Sequence, residues 1–307
     1  MTAIDSSISR RLIFAIILTG ITLIAEVAGG IWTNSLALLS DAAHVFLDLF
    51  ALVLSLGAIK LASIPASERH TFGFHRSEVF ASFINGLTVF LMALGILYEA
   101  WLRFFAPEAV KSLPMLAVAV IGLSMNLLAA RALHVHSHDD LNVKSAFLHV
   151  VGDAAASVGV IVGGVIMFYT GWYQLDAIIS AAIGLLILTG AGRLLRDSIH
   201  ILMEGTPRGL ALADVAAAIR GIEGVQDLHQ LNIWTVCSHI RSLSVHVDID
   251  IDNESRRGTI IHAIEHLLAE RFHITHTTIQ MECVSCENGA MIKELSHQQK
   301  ISCDHSH

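Results

Sequence analysis

The sequence predicts an α-helical membrane protein: a six-helix transmembrane bundle over residues 1–206, a small α+β domain over 207–287, and a flexible His/Cys-containing tail over 288–307. Three observations lead to this fold class. Hydrophobic residues make up 54% of the 307 and charged residues only 15%, against about a quarter charged in an ordinary soluble domain. The charge is uneven, sparse before residue 206 and dense after it. The sparse part holds six apolar runs, each near or above the ~20 residues a helix needs to cross hydrocarbon.

The runs cover Arg11–Ile31, Ser35–Leu61, Glu78–Phe105, Pro114–Leu133, Asn142–Thr170 and Asp176–Met203. The chain's four prolines, Pro65, Pro107, Pro114 and Pro207, stand at or just outside the ends of these runs, where a missing N–H does least harm. Six crossings return the chain to its starting side. Arg10, Arg11, Lys60, Arg69, Arg76, Arg131, Lys144, Arg193 and Arg196 fall toward that side, and only Arg103 and Lys111 toward the other. The excess of basic residues places both termini in the cytoplasm. The first run is too long, and too polar at Glu26, for a cleaved signal peptide.

The second run contains "SDAAHVFLDLF", in which Asp41, His44 and Asp48 share one helical stripe. An aspartate facing lipid would cost roughly 2.5–3.5 kcal/mol, so such residues face a bundle interior and bind something. The fifth run repeats the pattern as "SAFLHVVGDAAAS", with His149 and Asp153 one turn apart. Two His-x-x-x-Asp pairs on two helices supply two imidazoles and two carboxylates. That donor set suits a four-coordinate divalent ion, zinc above all, and the lack of thiolate argues against copper(I). Asp41 lies nearer the outer mouth and serves equally well as a cap or a helix contact. Gly159-x-x-x-Gly163 in the fifth run offers a small-residue face for close helix packing.

The soluble part reads α-β-β-α-β. "GLALADVAAAIRGI" is an amphipathic helix, and "VQDLHQLNIWTV" and "HIRSLSVHVDIDI" are a strand pair. In the second strand Leu243, Val245, Val247 and Ile249 point one way, and Ser244, His246, Asp248 and Asp250 the other. A helix over about 255–272 buries Ile260, Ile264, Leu267 and Leu268, and "HTTIQMEC" is the third strand. Cys283 and Cys286 form Cys-x-x-Cys, half a metal site in a reducing compartment. Cys303 lies in the tail with His305 and His307, while Cys237 is read as structural.

The stretches "SLALLSDAAHVFLDLFAL", "RHTFGFHRSEVFASFINGL", "LNVKSAFLHVVGDAAASVGVIV", "LHQLNIW" and "SVHVDI" resemble the cation diffusion facilitator family, in its zinc-exporting branch with paired His-x-x-x-Asp motifs. The resemblance covers nearly the whole chain. It implies a homodimeric proton-coupled antiporter with six spans per protomer, carrying zinc at His44, Asp48, His149 and Asp153. It further implies a metallochaperone-like, ferredoxin-like cytoplasmic domain for dimerisation and regulation. In that domain His229, His246 and His262 match ligand positions of zinc-exporting relatives. Gln280 and Glu282 replace the usual His and Asp, so one cytoplasmic zinc site, with Glu282 among its ligands, is expected rather than a full pair. Some members bind an ion in the loop between the second and third spans, where His70 and His75 stand here without the acidic-plus-histidine pattern. A second loop, "LHVHSHDDLN" with His134, His136 and His138, is either an ion-gathering site at the cytoplasmic mouth or plain solvated loop. Its shortness resembles bacterial members, which places the protein in a bacterial inner membrane.

Imidazole titrates near pH 6.5 and must be deprotonated to bind zinc, so protons and zinc compete for His44 and His149. No Gly-x-x-x-x-Gly-Lys motif occurs, which argues against an ATP-driven pump. A net charge of −8 argues against nucleic acid as partner. "HAIEH" (His262, Glu265, His266) matches a zinc-protease signature, but too little chain follows it to supply a third ligand and a cleft. The reading from sequence is therefore not an enzyme. Its alternative is a membrane zinc sensor that binds the ion without moving it.

Overall fold

The structure, a computed structural model, describes residues 3–134, 141–237, 240–250, 256–282 and 291–292. Within the helices the side chains of residues 3–16, 18, 52, 129–130, 132–134, 141–152 and 155 fall outside that description. The chain divides into two compact units, Met1–Ala58 with Ala81–Arg196, and Ile59–Phe80 with Asp197–His307.

The first unit is built from six long helices: α1 (Ala3–Thr33), α2 (Leu36–Ala62), α3 (Ser77–Phe105), α4 (Ser112–His134), α5 (Leu141–Thr170) and α6 (Gln174–Leu202). Among the described residues α2, α3 and α6 are long and apolar enough to cross a membrane, and 112–128 and 156–170 form shorter apolar stretches of α4 and α5. α1 begins before the apolar run predicted from Arg11, since the polar residues preceding the run continue the helix. Pro114, the first residue of the predicted run, falls in the first turn of α4, where its missing N–H would have had no partner anyway. Many large apolar side chains face outward, Ile24 at 71%, Val53 at 67% and Leu186 at 73% exposed. A soluble monomer does not leave so much apolar surface uncovered.

α4 packs against both α1 and α5. A β-carbon at Gly164 of α5 would come within 2.8 Å of Leu116 Cδ2 on α4, whereas nothing lies within 4 Å of one at Gly159. The close approach therefore runs through Gly164 and not through the Gly159 end of the small-residue face. α2 is central to the packing. Its Leu38 joins Met115 of α4 and Val160 and Met167 of α5, while its Leu47 joins Ala93 and Ile96 of α3 and Ile187 of α6.

The start of α2 is fixed from outside the helix. Asp176 on α6, only 2% exposed, accepts hydrogen bonds from Ser35 Oγ (2.7 Å), Leu36 N (2.7 Å) and Ala37 N (3.2 Å). Ser35 Oγ accepts one from Leu38 N at 3.3 Å. First-turn N–H groups have no intrahelical partner, and these two residues satisfy three of them.

The second unit contains α7 (Leu212–Arg220), β1 (Val225–Cys237), β2 (Ile240–Ile249), α8 (Arg257–Phe272) and β3 (His276–Glu282). The strands lie in the order β1-β2-β3, antiparallel between β1 and β2 and parallel between β2 and β3. A parallel neighbour requires a crossover, which α8 supplies. One core joins Val215 and Ile219 of α7, Leu228 and Ile233 of β1, Leu243, Val245 and Val247 of β2, and Ile260, Ile264 and Leu268 of α8. Both helices thus cover the same face of the sheet. The other face is not simply solvated: Asp248, expected to point outward with the polar set, is 6% exposed.

Candidate metal centres

Two groups of three metal-ligating side chains form among the described residues, each with one ligand atom per residue within 4.8 Å of the others. The first joins α2 to α5. His44 Nε2 lies 3.8 Å from Asp48 Oδ2, one turn on in α2, and 3.6 Å from Asp153 Oδ1 on α5. A tetrahedral zinc with ligand bonds near 2.0–2.1 Å sets its donors about 3.3 Å apart, and the two separations from His44 exceed that by half an ångström or less. The i,i+4 spacing explains half of this, since it stacks His44 over Asp48. The rest follows from α2 being held by its cap and by its two cores.

The group lines a cavity of about 520 Å³ whose walls come from α2, α3, α5 and α6. Asp153, 9% exposed, lines the cavity from α5. Asp41 also lines the cavity. Ser157 Oγ donates to Asp41 Oδ2 at 3.5 Å and to the Asp153 carbonyl at 3.1 Å, so Asp41 is a helix contact as well as a wall residue. His149 sits one turn before Asp153 on α5, and its side chain lies outside the described residues. Asn85 of α3 lines the same cavity, with its Oδ1 buried and without a hydrogen-bond partner among the described residues. Asn85 escaped the sequence reading. The available signal was an amide in an apolar run with Ser82 and Thr88 three residues to either side, and none of the three is ionisable.

The second group lies on the sheet. β1–β2 pairing sets His229 opposite His246, and β2–β3 pairing sets Asp248 opposite Glu282. Glu282 Oε1 is 2.7 Å from His246 Nδ1, and Glu282 Oε2 is 3.5 Å from His229 Nε2. The two imidazole centroids are 5.0 Å apart. Gln280, opposite His246, donates from Nε2 to Glu282 Oε1 at 2.8 Å and so orients the carboxylate. Asp248 Oδ2 lies 3.6 Å from His229 Nδ1, on the far side of that ring. Metal-bound histidines are commonly oriented in this way by a carboxylate on the other nitrogen. Asp248 was not among the residues singled out from the sequence, because strict alternation assigned it to a solvated face.

Other sequence-derived residues fall elsewhere. His262 on α8 is 84% exposed at its side chain and lies 3.4 Å from Glu265, apart from the sheet group. His70 stacks on Phe74 at 4.4 Å. His75 lines a separate small cavity that also meets His276. Neither His70 nor His75 belongs to a group of three ligands among the described residues. Cys283 and Cys286, the histidines at 136 and 138, and the tail apart from Met291 and Ile292 lie outside the described residues, as does the side chain of His134. Met291, placed in the flexible tail from sequence, instead packs on the core of the second unit, and its carbonyl accepts from Leu231 N at 2.8 Å. Cys237 is buried at the end of β1.

Comparison with known proteins matches the same two regions. The cation efflux transmembrane domain family matches residues 12–203, and the cation efflux protein cytoplasmic domain family matches residues 207–284. The metal cation efflux system protein CzcD of Cupriavidus metallidurans is 44% identical over 282 residues, covering 91% of this chain and 88% of the relative. A cadmium, cobalt and zinc/H(+)-K(+) antiporter of Bacillus subtilis is 39% identical over 301 residues, covering 96% and 95%. The zinc transporter ZitB of Escherichia coli is 38% identical over 281 residues, covering 91% and 88%. Two matched domains in the expected order, and relatives of this identity along nearly the full chain, show that the protein belongs to the cation efflux family, the cation diffusion facilitators.

Proposed function

We propose that this protein is a proton-coupled antiporter that exports zinc, with cadmium and cobalt as further substrates, across a bacterial inner membrane. The observation that carries the reading is the convergence of His44, Asp48 and Asp153 from two helices on one cavity. His149 is the fourth ligand of this proposal, one turn from Asp153. The names of the relatives support zinc, cadmium and cobalt as cargo and protons as counter-ion. In this reading α1–α6 are six spans over 1–206 with both termini in the cytoplasm. Residues 207–287 form the dimerisation and regulatory domain, with one zinc at His229, His246 and Glu282, and the tail follows from 288.

The mechanism follows from the donor set. Zinc binds neutral imidazole and ionised carboxylate, so the ion enters a deprotonated site. Protonation of His44 at the acidic face removes one donor and adds a positive charge about one bond length from the ion. Both effects expel zinc. A proton carried back inward restores the imidazole, and the proton gradient drives the cycle. Rocking of helices around a fixed mid-membrane site exposes it alternately to the two faces.

The test is zinc uptake into everted membrane vesicles with an acidic lumen. The native protein takes zinc up, and Asp48→Ala and Asp153→Ala do not although they reach the membrane in equal amount. Uptake by both variants at the native rate would overturn the site assignment.

A further inference from the structure

Residues 63–76 connect α2 to α3 and fold back on themselves. Ser67 and His70 exchange backbone hydrogen bonds at 3.0 Å, and Gly73 completes the turn at φ +63°. This loop, with Glu204 and the β1 residues Trp234 and Val236, lines a pocket of about 400 Å³. Its charged groups are Arg69, Arg76 and Glu204, with His70 beside them. Arg76 Nη2 meets Glu204 Oε1 at 2.7 Å. Arg69 has no ion pair among the described residues. Two guanidinium groups against one carboxylate leave the pocket with one positive charge in excess. Two aromatic side chains also line it, Phe72, 58% exposed, and Trp234, half-buried.

We infer that this pocket is an anion site that binds a phosphate group, with Arg69 as the principal ligand. The planar guanidinium fork fits two oxygens of a phosphate, a geometry that lysine does not reproduce. The same surplus charge disfavours a divalent cation at His70. A phosphate can reach the pocket from an anionic lipid or from solution. The loop is tied at both ends to helices apolar enough to span, which places it at headgroup level beside Lys60. Anionic lipids concentrate there next to basic residues, and aromatic side chains favour the same depth. The lipid source rests on α2 and α3 being spans, whereas the anion chemistry does not.

The experiment uses the purified full chain in two arms. Native mass spectrometry counts phosphatidylglycerol against phosphatidylcholine retained per protomer. Titration with inorganic phosphate is followed by tryptophan fluorescence, with Trp234→Phe identifying the pocket's share of the signal. Retention of phosphatidylglycerol over phosphatidylcholine is expected, weakened at least about tenfold in Arg69→Ala. Arg69→Lys, which keeps the charge and loses the fork, is expected to recover only part of it. Arg256→Ala, outside the pocket, binds as the native chain does. Phosphate binding lost in Arg69→Ala without lipid retention would also support the anion site and assign a soluble source. Binding of neither probe, or Arg69→Ala and Arg69→Lys both indistinguishable from the native chain, would overturn it. Neither readout requires zinc flux, so the outcome is separate from that of the transport test.

Discussion

At the scale of single residues, the membrane group has three ligand atoms already near coordinating distance, and each aspartate removed takes away both a donor and a charge. Outer-shell partners alone are worth 10–100-fold in metal affinity. Asp48→Ala or Asp153→Ala is therefore expected to weaken zinc binding by at least about 100-fold, measured by calorimetry on protein whose sheet site has been disabled by His229→Ala. On the sheet, Gln280 stands where a fourth donor would stand, directly opposite His246. Gln280→His should tighten that site, seen as a lower zinc dissociation constant, and an unchanged constant would show that position 280 does not face the ion. The His-x-x-x-Asp pairs were legible because two polar residues at one helical spacing, repeated, stand out in an apolar run. Asn85, Asp176 and Asp248 were not, since the role of each depends on a strand or helix distant in sequence.

One exposed pair sets a pH expectation. Arg220 Nε donates to Asp227 Oδ1 at 2.7 Å, and Leu228 N donates to the same oxygen. Arg220 first, and that amide second, hold the Asp227 carboxyl below its ordinary value of 3.8. The folded value lies below the unfolded one, so the stabilisation is complete above the unfolded value, near 3.9. It is lost as the pH falls through the folded value. Both partners are largely exposed, which limits the pair to about 0.2–1 kcal/mol. Arg220→Ala should lower the unfolding midpoint slightly at neutral pH and leave it unchanged in strong acid.

At the scale of elements, α2 carries two of the proposed ligands and depends on a cap supplied by α6. Removing a helix cap costs about 0.5–2 kcal/mol, and Asp176 accepts three hydrogen bonds rather than one. Asp176→Ala is expected to lie at or beyond the upper end of that range in thermal unfolding, and Asp176→Asn, which keeps acceptor capacity, to lose less. In the second unit Ile264 of α8 is fully buried between helix and sheet. Ile264→Ala should cost roughly 2–5 kcal/mol by cavity formation. Helix bounds could be read from the apolar runs to within a few residues, except at α1, where the polar residues ahead of the run continue the helix. The parallel pairing of β2 with β3 could not be read so directly. Strand identity follows from local alternation, whereas strand order is decided by how α8 packs onto the sheet.

At the scale of the whole molecule, the membership of the cation efflux family and the site geometry meet in one expectation: zinc leaves as protons enter, through a site shared between them. Proteoliposomes carrying a zinc dye and a pH dye in one population test this most directly. With an imposed pH gradient and native protein, both signals should change together and in opposite senses, and collapsing the gradient should slow zinc in proportion. In Asp48→Ala both signals should be lost together. Zinc flux that persists without any proton movement, or stoichiometric zinc binding without flux in either direction, would contradict exchange at the α2–α5 site.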